Sequence, residues 1–113
     1  SPEVVECFVD GSIVGWYNYL YGDNAAANEM IMAANPEMTQ DKVNFAIEQM
    51  LTQGIVVSGD AETMGIGVMT EQQVGDFYAK MVEAGVIGDD IDWEASFTTA
   101  FVGDGLGMNL FAN

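Results

Sequence analysis

Met38-Thr39-Gln40-Asp41-Lys42-Val43, near the middle of the chain, returns further on as Met69-Thr70-Glu71-Gln72-Gln73-Val74. Each copy reads as a helix start. The threonine hydroxyl caps free backbone N–H groups of the first turn. The methionine before it can pack on the valine after that turn as a hydrophobic staple, and Thr70 with Gln73 adds a capping box. Beyond the caps, Val43, Ala46, Ile47, Met50 and Leu51 in one copy, and Val74, Phe77, Tyr78, Met81 and Val82 in the other, recur at steps of three and four residues. Each set makes one apolar face, and Gly54 and Gly85 end the two helices. Two copies are too few for a solenoid, which needs about three stacked repeats to bury a core.

Working outward, Ser1-Pro2-Glu3 is a third helix start: a serine cap, a proline at the first helical position and an acid facing the positive end of the helix dipole. Val5, Phe8, Val9, Ser12, Ile13, Trp16 and Leu20 then form a stripe that ends near Gly22. Gly11 and Gly15 inside it each cost about 1 kcal/mol relative to alanine, which predicts a close approach by a neighbouring element. A brief helix is expected from about Asn24 to Ala34, ahead of Asn35-Pro36. A last one is expected from an Asp92 cap through Trp93, Phe97, Ala100 and Phe101 to Gly103. The segment 55–69 reads as irregular or as a short extended stretch, and the glycine-rich tail from Gly103 as irregular. The expectation is therefore a mainly α fold of about five helices in one unit spanning 1–113.

Eighteen acids stand against two lysines, Lys42 and Lys80, for a net charge of −16. Nucleic-acid binding draws its affinity from basic side chains that displace counterions, so no nucleic-acid partner is expected, and anionic membranes are disfavoured for the same reason. The acidity reads first as a solubility device, suited to saline surroundings. No stretch approaches the roughly 20 apolar residues of a membrane span, and any targeting segment would lie upstream of Ser1. Cys7, the single cysteine, falls among Val4, Val5, Phe8 and Val9 and is expected to be buried and inert.

The chain has no histidine, which removes Ser-His-Asp and Cys-His nucleophile systems and the commonest zinc ligand. Paired carboxylates could still act across a cleft, but no pattern singles out a pair, so no enzyme activity and no catalytic residue is expected. Asp89, Asp90, Asp92 and Glu94 begin like a calcium loop. Ala95 and Phe101 stand where glycine and glutamate are required, so an acidic helix start is expected there, with no metal and no cofactor. Gly65-x-Gly67 and Gly103-x-Gly105-x-Gly107 lack the spacing of a dinucleotide loop and read as turn glycines. The aromatics Trp16, Tyr17, Tyr19 and Tyr21 read as packing surface.

Several stretches together carry a family likeness: Glu3-Val4-Val5 with Phe8-Val9-Asp10, Gly15-Trp16-Tyr17-Asn18-Tyr19-Leu20-Tyr21-Gly22-Asp23, and Asn35-Pro36-Glu37-Met38-Thr39. Ser58-Gly59-Asp60-Ala61, Gly65-Ile66-Gly67 and Phe101-Val102 complete it. They resemble the C-terminal part of periplasmic substrate-binding proteins of ABC importers, in the group that captures nitrate, sulfonates, taurine and thiamine-pyrimidine precursors. The resemblance implies a two-lobed α/β protein of which this chain is the C-terminal helical portion. It further implies a periplasmic location, and as partners the missing N-terminal lobes, the importer's permease and a small-molecule solute. Trp16 is the one ligand-contact candidate, and its place in a helical stripe favours packing over that role. The alternative is a free-standing acidic helical interaction module. If the chain is such a C-terminal portion, on its own it is expected to self-associate, with Trp16, Phe77, Met81, Trp93 and Phe101 between copies.

Overall fold

The computed structural model describes residues 1–111, and its ordered elements are helical. Five α-helices follow one another: α1 (Pro2–Tyr21), α2 (Ala25–Ala34), α3 (Gln40–Thr52), α4 (Ala61–Met64) and α5 (Glu71–Glu83), with one 3-10 turn at Glu94–Ser96. No strand occurs among the described residues.

The repeated segment folds as the caps dictate. Thr39 Oγ1 accepts the Lys42 N–H and Thr70 Oγ1 accepts the Gln73 N–H, while the Gln73 side chain accepts the Thr70 N–H in return. The likeness continues to the far ends. Gly54 and Gly85 adopt φ of +61° and +70°, and the next N–H folds back, Ile55 to the Met50 carbonyl and Val86 to the Met81 carbonyl. These are Schellman closures, which need a residue that tolerates the left-handed region. Gln73 also ties α5 to the start of α4 by donating to Asp60 Oδ2 at 2.8 Å.

Elsewhere local chemistry sets the boundaries. Pro2 occupies the first helical position of α1, and the Ser1 hydroxyl turns to the Glu3 carboxylate instead of capping the backbone. A run of amides joins α1 to α2: Asn24 donates to the Tyr19 carbonyl and Asn28 donates to Asn24 Oδ1. Asn35, held extended ahead of Pro36, ends α2.

The core is small. Ile13 and Tyr17 of α1 pack with Ile66, and Val9, Val57, Val102, Leu106 and Met108 close around them. The two glycine runs meet here. A Cβ on Gly65 would lie 3.2 Å from the Gly105 Cα, one on Gly107 would lie 2.7 Å from the Tyr17 ring, and the Gly105 N–H donates to the Met64 carbonyl. These glycines therefore let two loops and a helix close on one another.

Four expectations fail locally. The helix from Asp92 to Gly103 is absent: beyond the 3-10 turn Phe97 is extended, and Trp93 stacks between Tyr78 and Phe97. The aromatic contacts satisfy Trp93 without a helix, and Thr98 and Thr99 are poor helix formers. Consequently the acids from Asp89 to Glu94 do not start an α-helix. The segment 55–69 is irregular, as expected, apart from the four residues of α4. Gly11 and Gly15 face open space, with nothing within 4 Å of a Cβ at either. Cys7 is exposed, as is every residue of the first two turns of α1.

The molecule measures 47 × 30 × 29 Å with a radius of gyration of 17.1 Å, against about 13 Å for a compact domain of this length. It exposes 7922 Å², where a folded chain of its mass exposes roughly 6,100 Å². The excess is apolar in large part: Val4, Phe8, Met30, Phe45 and Phe77 all lie open to solvent.

Candidate functional site

Three backbone donors of the glycine corner are already engaged within the chain. Ile66 N–H donates to the Tyr17 hydroxyl at 3.2 Å, Leu106 N–H to Asp104 Oδ1 and Met108 N–H to the Gly105 carbonyl. A phosphate would also meet the Asp104 carboxylate. Tyr17 is thus a structural residue whose polar end holds a buried loop, a role that its place in a row of tyrosines did not reveal. Beside it lies a cavity of about 170 Å³ reached by Tyr21, Val57, Glu62 and Phe111.

Trp16, the ligand-contact candidate, stands on the other side of α1. Its neighbour Tyr17 points into the core, so the helical step of about 100° carries Trp16 outward. There it lines an open apolar groove of about 600 Å³ with Ser12, Gly15 and Tyr19 of α1, Ala27, Met30 and Ile31 of α2, and Met50 of α3. Trp16 remains 41% exposed and meets Tyr19 edge to face, with ring centroids 6.1 Å apart. Met30 and Ile31 were visible in sequence only as apolar residues of a short helix. Their role as a wall follows from the amide run that folds α2 back beside α1.

The groove is suited to contact and poor in chemistry. No carboxylate lines it, and its one aliphatic hydroxyl, on Ser12, donates to the Phe8 carbonyl at 2.7 Å. Glu3 lies outside the groove. The Ser1 hydroxyl, and then its own backbone, hold its carboxyl below the ordinary value. No group of three or more histidine, cysteine or acidic side chains placed to hold a metal ion occurs among the described residues. The acids from Asp89 to Glu94 are not such a group. Among the described residues no helix is long and apolar enough to cross a membrane.

Of the side chains expected between copies, Trp16 and Phe77 are exposed, whereas Met81, Trp93 and Phe101 are half-buried. No family model, curated protein or solved structure matches the chain.

Proposed function

We propose that this chain is the helical part of an extracytoplasmic, periplasmic solute-binding protein that captures a small molecule and delivers it to the permease of an ABC importer. One observation carries the reading: the helices are complete but their apolar side chains are only partly covered. α3 buries Val43 alone, α5 buries nothing, and Phe45 and Phe77 are each 63% exposed. Faces of this size call for a covering body, which the lobes of a two-lobed binding protein would provide. The resemblance also falls on residues that build the fold, since Tyr17, Gly65-Ile66-Gly67 and Val102 meet in the core.

In this reading the solute's site is completed by those lobes. The cavity beside Tyr17, at about 170 Å³, is smaller than the roughly 300 Å³ at which small-molecule sites begin. The groove at Trp16 is open along its length. Thermal-shift screening of the full-length gene product against nitrate, sulfonates, taurine and pyrimidines tests the proposal. One stabilising ligand is expected, with no heat of binding when the same ligand is titrated into the 113-residue chain. Submillimolar binding to this chain alone would place the pocket here and sink the two-lobed reading. A free-standing interaction module is the second reading, favoured by the exposed apolar groove at Trp16, which no carboxylate lines.

A further inference from the structure

From Ser1 to Phe8 every residue of the chain is exposed, so the first two turns of α1 stand clear of the body. At helical spacing Val4, Phe8, Gly11, Gly15 and Tyr19 fall in one row. The row runs straight into the groove at Trp16, so the bare arm and the groove form one continuous apolar surface. It carries no charge. Glu3, Glu6 and Asp10 line a second cleft with Cys7 and Val14, which borders the row at Gly11. Glu29 on α2 and Glu48 on α3 are absent from the groove lining.

We infer that this surface binds a second copy of the chain, with the two α1 helices packed antiparallel and crossing at Gly11 and Ser12. The row reads as its own complement under a two-fold axis. Such a pairing sets Phe8 against Gly15 of the second copy and Val4 against Tyr19 of the second copy. Gly11 and Gly15 have nothing within 4 Å of a Cβ, so they leave room for the backbones to approach. Phe8 then enters the groove beside Trp16 of the second copy, and an isologous contact buries the same groove twice.

Area and charge both support this occupant. Phe8 is 76%, Met30 73% and Val4 68% exposed. At about 150–250 Å² per large side chain, the surface offers on the order of 600 Å². That approaches the roughly 800 Å² per partner of a stable interface. A net charge of −16 on each copy opposes association, but no carboxylate lines the groove that Phe8 enters. Salt therefore screens the repulsion without touching the contact. The inference stands apart from the solute-binding proposal, which rests on α3 and α5.

Sedimentation equilibrium of the 113-residue chain at low salt and at about 1 M salt tests it. A monomer–dimer equilibrium is expected, at least tenfold tighter in high salt. Phe8→Glu is expected to weaken the dimer at least tenfold with an unchanged far-UV spectrum, because Phe8 makes little contact within its own copy. In a Cys7→Ser background, Ser12→Cys treated with oxidised glutathione is expected to form a disulfide-linked dimer several-fold faster than Glu48→Cys. A monomer under all conditions overturns the inference. So does a dimer indifferent to Phe8→Glu, or equal cross-linking at the two cysteines, either of which would mean that copies meet through another face.

Discussion

From Val9 onward α1 lies against the glycine-rich loops and buries Ile13, Tyr17 and Leu20, whereas from Pro2 to Phe8 the same helix is bare. The two halves have equally regular backbones and similar apolar content. Helix formation is thus local here, set by Pro2 at the start and by side-chain spacing, while burial is decided by what folds back. What folds back is glycine: the runs at 65–67 and 103–107 can press on Tyr17 and on each other because they lack side chains. The bare half is covered by no such loop among the described residues.

Changes in the packed half should therefore be costly, and changes in the bare half nearly free. The largest effect is expected at Gly107. Its φ is +83°, and a Cβ there would stand 2.7 Å from the Tyr17 ring. Left-handed strain of about 1–2 kcal/mol and overpacking of about 1–3 kcal/mol together predict a loss of about 3 kcal/mol for Gly107→Ala in urea unfolding. A loss under 1 kcal/mol would mean that the loop is not seated on Tyr17.

Next comes Tyr17→Phe. It keeps the ring but removes the hydroxyl that accepts the Ile66 N–H, leaving a buried donor unpaired. The expected cost is about 1–2 kcal/mol, read as a lower urea midpoint at constant slope. An unchanged midpoint would show that water reaches the Ile66 amide, and that the corner is looser than its packing indicates.

The twin helices allow a finer comparison. Thr70→Ala and Thr39→Ala each remove one cap and are expected to cost about 1 kcal/mol. Thr70→Ala should be the larger of the two, since Thr70 shares a reciprocal box with Gln73, and Gln73 in turn reaches Asp60. Amide hydrogen exchange in the first turns of α3 and α5 would resolve the difference, and equal effects would show that the link to Asp60 contributes nothing.

Much of this was legible in the sequence because it is local. Ser1-Pro2, the two threonine caps, Asn35-Pro36 and the glycine stops placed four helices within a residue or two of where they lie. What depends on distant contacts was not. The spacing around Trp93 and Phe97 suits a helix, but stacking on Tyr78 holds Trp93 in a loop. Cys7 sits in an apolar stripe, and no pattern along one helix says which half of the stripe finds a neighbour. The glycine runs read as turns, which they are, but their meeting in the core is a tertiary fact. Trp16 was placed as a candidate contact, while the groove around it needed α2 folded back by the Asn24 and Asn28 amides.

Gly15→Ala gives the smallest effect and the sharpest test, because its sign differs with concentration. In the single chain nothing lies within 4 Å of the added methyl. The change replaces a flexible residue by the best helix former in the interior of α1, so dilute protein at low salt should gain about 0.5–1 kcal/mol and melt slightly hotter. In the antiparallel pair the same methyl enters the seam, where Phe8 of the second copy needs the space. The variant should therefore dimerise less well at high salt while its monomer is more stable. A gain in both would show that α1 pairs elsewhere or not at all, and a loss in dilute protein would mean that a part of the same chain closes over Gly15. Gly11→Ala should behave in the same way, since Gly11 lies one turn away in the same row with equal open space.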